Sequence, residues 1–136
     1  MERFFSVKSK VEDELEMESR LFELTESLGT QFDQIDVYFE CLRGTLKVRR
    51  MPPSPEGEVI STNVVEGEDG MRLIENTRSI IDDVDSLKET LAATLGEIGT
   101  VVKSRRVFTL PDARIYLDEV KGIGSFIELL VAVSPM

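Results

Sequence analysis

Residues 100–120 read TVVKSRRVFTLPDARIYLDEV, and this stretch decides the fold. Val101, Val102, Val107, Phe108, Ile115, Tyr116, Leu117 and Val120 are β-branched, aromatic or aliphatic residues that suit a pleated surface. Leu110-Pro111-Asp112 interrupts them with a turn. Two strands are therefore predicted, over residues 100–109 and 113–120. Side chains in a strand alternate between its two faces, so Lys103 and Arg105 share a face, while Ile115 and Leu117 lie opposite Arg114. Such a hairpin must bury its apolar face, and it carries its cations on the other.

Working outward, the same alternation recurs. Residues 3–10 (RFFSVKSK) place Phe5 and Val7 on one face and Phe4, Ser6, Lys8 and Lys10 on the other. Residues 34–40 and 45–51 form two strands around a Leu42-Arg43-Gly44 turn, and Lys47 and Arg49 alternate with Leu46 and Val48. Strands are also read over 58–65, 71–78 and 125–133, with Arg72 on the second of these. Pro52, Pro53 and Pro55 force a loop, Glu66–Gly70 a turn, and Lys121–Gly124 another. Two helices complete the chain. One spans 13–28, with Asp13 as N-cap, a Met17, Leu21, Leu24, Leu28 stripe, and Gly29 as its stop. The other opens at Asp82-Asp83-Val84-Asp85 with Asp85 as N-cap, carries Leu87, Leu91 and Leu95, and ends at Gly96. Each helix is followed by a hairpin with basic residues on one face, which hints at two similar halves, roughly 4–50 and 72–120.

The charges are segregated along this plan. The net charge is −10, yet of sixteen Lys and Arg only Arg20 and Lys88 fall in predicted helices. The acidic total argues against nucleic acid as a partner. No apolar run reaches the roughly 20 residues of a membrane span, and residues 1–10 contain no signal-peptide core, so a cytoplasmic protein is expected. The length of 136 residues fits one domain over 1–136. The sequence has no histidine and a single cysteine, Cys41. That excludes an intrachain disulfide, His-based nucleophilic sites and His-ligated zinc, and leaves carboxylate-held Mg²⁺ or Mn²⁺ as the metal chemistry open to it. The basic strand faces have two readings at this point. They are the solvated face of an antiparallel sheet, where Lys and Arg also guard edges. Alternatively they converge on a concave surface or the inside of a barrel, suited to a polyphosphate.

Four segments resemble the CYTH family, the triphosphate tunnel enzymes that include class IV adenylyl cyclases and thiamine triphosphatases. Ile35–Phe39 followed by Gly44–Arg49 is similar to its D-x-Y/F-F…G-R-L-K-L-R stretch, and Val102–Arg106 to its V-K-K-R-R strand. Arg114–Val120 is similar to R-I-H-L-D-x-V, and Gly122–Leu129 to G-L-G-x-F-x-E-I. The resemblance implies an α+β fold, an antiparallel β-barrel tunnel with two main helices packed outside. It implies a triphosphate or polyphosphate ligand (a nucleoside triphosphate, thiamine triphosphate or inorganic triphosphate) that is hydrolysed or cyclised with Mg²⁺ or Mn²⁺. It implies Lys8, Lys47, Arg49, Arg72, Lys103, Arg105 and Arg114 as triphosphate-binding residues, with Lys10 beside them, and Glu128 and Asp118 as metal ligands. A homodimer follows by the same analogy.

The departures sit on the metal side. The family's first strand reads E-x-E-x-K, where this chain has Phe4-Phe5-Ser6-Val7-Lys8, and its last strand reads E-x-E, where this chain has Glu128-Leu129-Leu130. A binding module that retains triphosphate without turning it over is thus the alternative to an enzyme. If the cations do line a tunnel, Lys47, Arg49, Lys103 and Arg105 crowd like charges together. Replacing Arg49 or Arg105 with Ala is then expected to leave the ligand-free protein as stable or slightly more so.

Overall fold

The computed structural model describes residues 1–133. Eight strands run β1 (Glu2–Val11), β2 (Thr30–Phe39), β3 (Thr45–Arg50), β4 (Gly57–Glu66), β5 (Arg72–Ile81), β6 (Glu97–Thr109), β7 (Ala113–Val120) and β8 (Gly124–Ala132). Helix α1 (Glu14–Thr25) lies between β1 and β2, and α2 (Val84–Leu95) between β5 and β6. The strands close into one antiparallel barrel in the order β1-β5-β4-β3-β2-β6-β7-β8. Closure leaves no unpaired edge, so edge protection is not what the basic residues are for. The first half, β1-α1-β2-β3, is repeated in order by β5-α2-β6-β7, as the two-half pattern suggested.

The apolar core lies outside the barrel wall, under the helices. Val11, Phe108, Ile115 and Leu117 pack with Leu21 of α1. Val37, Phe39 and Val48 pack with Val84 of α2. On β1, β2, β3, β6 and β7 these residues alternate with the charged set, which therefore points into the lumen, whereas Ile60 of β4 and Ile74 of β5 are themselves on the lumen side, opposite Lys47 and Phe4. Register confirms the assignment across neighbouring strands, where Asp36 faces Arg49, Arg105 faces Asp118, and Lys8 faces Glu128. An eight-stranded barrel is just wide enough to be filled by side chains or to hold one small ligand.

Both helices differ from their sequence reading at one end. Asp13 caps α1 as expected, accepting from the Glu16 N–H at 3.1 Å. The helix stops at Thr25 rather than running to 28. Glu26 takes a left-handed conformation (φ 56°), the Thr25 hydroxyl donates back to the Leu21 carbonyl, and Ser27 Oγ accepts from Gly29 N–H. Hydroxyls that serve the backbone in this way compete with helix continuation. Leu24 and Leu28 are consequently exposed, and the packed face of α1 is Met17 and Leu21. For α2 the N-cap is Asp83, whose carboxylate accepts from Ser86 N–H at 3.1 Å. Starting two residues earlier seats Val84, 1% exposed, against β2 and β3. Asp85 is freed to pair with Arg50 at 2.6 Å. Leu91 and Ala92 pack beneath α2, whereas Leu95 is exposed. Gly96 (φ 83°) ends this helix as predicted.

Candidate functional site: a lumen of paired arginines and lysines

Three clusters of charge fill the lumen. In the first, β2 and β3 bring Asp36 against Arg49, whose Nε and Nη2 donate to the two carboxylate oxygens at 2.9 and 3.1 Å. Lys47 Nζ stands 3.6 Å from the same carboxylate. In the second, β6 and β7 repeat the arrangement with the acid and base strands exchanged. Arg105 donates through Nε and Nη2 to Asp118 at 2.9 and 3.0 Å, and Lys103 lies 3.7 Å away. Asp36 and Asp118 are 0% and 1% exposed, so each carboxylate depends on its bidentate arginine for solvation. In the third, Glu128 Oε2 accepts from the Ser6 hydroxyl and from Arg72 at 3.3 Å. Gln34, also buried, donates to Asp36 at 3.3 Å.

Aromatic rings fix the remaining orientations. The Arg105 guanidinium lies 4.0 Å from the Tyr116 ring centroid. Lys47 sits 5.6 Å above Tyr38, and Lys8 5.5 Å above Phe126. These contacts hold the cations by their faces and leave donors directed to the lumen.

Electrostatics separates the arginines from the lysines. Burial raises the Asp36 pKa, but the hydrogen bonds and charge of Arg49, with Lys47 and Lys103 behind it, outweigh burial and hold the carboxyl below its ordinary value. Burial, then the Arg49 charge, lower Lys47 to about 8, against a weaker pull from Asp36. Lys103 is lowered for the same reasons, burial first and Arg105 second. The like-charge crowding expected of all four side chains is thus expressed at the two lysines. At Arg49 and Arg105 the expectation fails, because each is matched to its own buried carboxylate.

The structure brings six of the seven predicted cations to this region: Lys8, Lys47, Arg49, Arg72, Lys103 and Arg105. Arg114 also faces inward, but it is exposed and lies at one end of the barrel beside Leu130 and Thr109. Lys10 extends from the far end of β1, opposite Phe126. β1 begins at Glu2, whose carboxylate is engaged by Arg78 at 2.6 Å, and Arg78 also meets Glu58 at 3.1 Å. Asp36, Gln34 and Arg78 were not singled out as site residues from the sequence. The signal for Asp36 was present, since it alternates with Ile35 and Val37 and so shares the face of the cations.

The donor set was tested for the divalent ion that the resemblance implies. Among the described residues, no three His, Cys, Asp or Glu side chains come together. Both oxygens of Asp118 are occupied by Arg105, and Glu128 Oε2 by Ser6 and Arg72. Phe4, Ser6 and Leu130 occupy the positions that the resemblance assigns to three further acids. As arranged, these residues do not fit an ion held by protein carboxylates alone.

Comparison with known proteins agrees with this geometry. The sequence matches the CYTH domain over residues 1–135. The chain belongs to the CYTH family. This family binds triphosphates and includes triphosphatases and class IV adenylyl cyclases. The CYTH fold is repeated in the PH1012 protein from Pyrococcus horikoshii OT3, at TM-score 0.81 and 22% identity, covering 99% of this chain and 80% of that one. It is repeated in a putative adenylyl cyclase from Hippeastrum described as having a dominant triphosphatase activity (TM-score 0.72, 14% identity, 99% and 80% covered). A putative adenylate cyclase from Vibrio parahaemolyticus is also similar, at TM-score 0.71 and 18% identity over 97% of this chain and 78% of that one. No curated protein matches the sequence.

Proposed function

We propose that this CYTH protein binds a triphosphate-bearing molecule inside its barrel, through Lys8, Lys47, Arg49, Arg72, Lys103 and Arg105, with Arg114 at the end of the lumen. The observation that supports this reading is the imbalance of charge in a confined space. The ion pairs of those six cations involve only Asp36, Asp118 and Glu128, and on the same face Arg78 is shared by Glu2 and Glu58, so seven cations stand with five carboxylates and two positive charges are in excess when Lys47 is protonated. Each paired arginine uses Nε and Nη2 on its carboxylate and keeps Nη1 for an anion. Confinement strengthens such contacts, because the barrel wall excludes much of the competing water.

Family membership favours hydrolysis or cyclisation with Mg²⁺ or Mn²⁺, which Glu128 and Asp118 would hold only together with the phosphate oxygens of a bound triphosphate. A second reading, retention of the triphosphate without turnover, is favoured by the pairing of both acids with arginine and by Ser6 and Leu130 in place of acids. Tripolyphosphate in EDTA is expected to raise the melting temperature under either reading, since a ligand of the native state alone stabilises it by about 3 kcal/mol at a hundredfold excess over Kd. An unchanged melting temperature at millimolar tripolyphosphate refutes triphosphate binding. Phosphate or pyrophosphate release from nucleoside, thiamine or inorganic triphosphate with either metal then separates the two readings. For the retaining protein, joint Ser6→Glu and Leu130→Glu substitution is expected to create metal-dependent release.

A further inference from the structure

Lys47 combines two features that anion binding alone does not require together. The first is its setting. Its Nζ and the Arg49 Nη2 converge on one oxygen of Asp36, Oδ2, at 3.6 and 3.1 Å. Both side chains leave the same face of β3, two residues apart, so an anion on the free Nη1 of Arg49 lies within a small molecule's length of the amine. Lys103 and Arg105 of β6 add positive charge from beyond β2. Tyr38 of β2 holds its ring 5.6 Å from Nζ, and Ile60 of β4 is the neighbour in register on the other side. The second feature is that the amine is a nucleophile near neutral pH. Burial, then the Arg49 charge, lower it to about 8, so at pH 7.5 about a quarter of molecules carry it neutral, against about one in a thousand for a lysine at 10.5. Nucleophilicity falls with basicity at a Brønsted slope of about 0.5, which leaves roughly a tenfold advantage.

We propose that Lys47 is an acylation site for acyl phosphates, the mixed anhydrides of a carboxylic acid and phosphate, and that its acylation switches the lumen to weaker anion binding. The inference rests on the triphosphate reading above, because it needs phosphate to enter among these cations. An acyl phosphate carries a phosphate and an electrophilic carbonyl in one small molecule. Arg49 takes the phosphate through Nη1, which brings the carbonyl to Nζ. The lone pair of the neutral amine attacks the carbonyl carbon and forms the C–N bond. The bond from that carbon to the phosphate oxygen breaks, and its electron pair leaves with the phosphate. The proton shed by nitrogen goes to the departing phosphate, so the products are one amide and one hydrogen phosphate. The guanidinium stabilises the leaving group as its charge develops. The amide is neutral and escapes the burial penalty of the ammonium, while Asp36 keeps both hydrogen bonds from Arg49. Acylation also removes one of the two positive charges in excess over the carboxylates, so tripolyphosphate is expected to bind about tenfold more weakly.

Peptide mass spectrometry of the full chain at pH 7.5 tests this with two donors of similar size, acetyl phosphate and acetic anhydride. They transfer the same acetyl group with and without a phosphate. Lys121, exposed in the turn after β7, is the internal reference. With acetyl phosphate, Lys47 is expected to be acetylated about tenfold faster than Lys121 or better, and tripolyphosphate should abolish that excess without slowing Lys121. Acetic anhydride reads amine reactivity and access alone, so its ratio of Lys47 to Lys121 should be several-fold smaller. Lys47→Gln, which puts a neutral amide in place of the amine, should bind tripolyphosphate as weakly as the acetylated protein. The proposal is overturned if acetyl phosphate modifies Lys47 no faster than Lys121, if the two donors give equal ratios, or if tripolyphosphate does not protect. Unchanged tripolyphosphate affinity in Lys47→Gln overturns the switch. Where tripolyphosphate still raises the melting temperature in EDTA, each of these failures leaves the triphosphate reading intact. Where it does not, both fall.

Discussion

Arg49→Ala and Arg105→Ala are each expected to cost the folded, ligand-free protein about 3–5 kcal/mol, the usual loss when one partner of a buried ion pair is removed. Asp36 and Asp118 are almost wholly buried, and each has both oxygens on the guanidinium that the substitution deletes. Lys47 and Lys103 remain at 3.6 and 3.7 Å, but a single ammonium at that distance does not replace two aligned N–H donors. The loss is a large fraction of the 5–15 kcal/mol that holds a typical domain folded. Urea denaturation at pH 7 measures it. Removing both partners, as in Asp36→Leu with Arg49→Met, should recover most of the loss, because no unpaired charge is then left in the wall. Single substitutions that cost less than about 1 kcal/mol would show that water reaches the carboxylates and that the pairs are not buried. The Asp36 pair also sets an acid limit. Its carboxyl is held below the ordinary value near 3.8, so its contribution is complete above that value and is lost as the pH falls through the lower folded value.

Lys47→Met is expected to act in the opposite direction, raising stability at pH 7 by about 2–4 kcal/mol while weakening tripolyphosphate binding. Lys47 titrates near 8 in the folded protein and near 10.5 in the unfolded chain. The unfolded state therefore binds its proton more tightly, and at pH 7 the folded state carries a charge that burial and Arg49 oppose. That penalty is full below pH 8, fades between 8 and 10.5, and is absent above. The stability gained by Lys47→Met should follow the same course and vanish by about pH 10.5. A triphosphate favours the protonated amine, so wild-type affinity should fall as the pH rises through about 8, and the Met variant should lack that step. The difference between the two proteins is the informative quantity, since the ligand's own ionisation is common to both. A destabilised Met variant, or identical pH profiles, would show that Lys47 is solvated and takes no part in binding.

The strands and their two faces were legible because a period of two leaves few alternatives where Lys103 and Arg105, or Lys47 and Arg49, interleave with apolar residues. The same alternation placed Asp36 and Asp118 with the cations, yet their pairing was not read from it. Arg49 lies opposite Asp36, and Arg105 opposite Asp118, only once β2 is registered on β3 and β6 on β7. Closure was hidden for a similar reason. Ser6 meets both Arg72 and Leu130, positions far from it in sequence, and no local signal encodes that contact. Helix starts were clearer than helix stops at α1, where Asp13 has one role, whereas Thr25 and Ser27 can serve either helix or turn. At α2 three aspartates compete for the cap, and the burial of Val84 against β2 and β3 decides among them.

The segregation of charge, with an acidic exterior around a cationic lumen, bears on how fast a polyanion arrives. Beyond a few ångströms the approaching molecule meets the field of a body carrying −10, which repels it. At one end it also passes the rim formed by Glu2, Arg78 and Glu58. The outer field reaches about 30 Å at 0.01 M salt and about 10 Å at 0.1 M, whereas contacts inside the barrel act at bonding distance and are screened far less. Raising ionic strength across that range should therefore speed association, as stopped-flow mixing would record, and speed release through the weakened inner contacts as well. Most anion-binding proteins draw their ligands in and slow down in salt. Here the long-range field turns polyanions away, and the few that reach the mouth are retained by short-range contact.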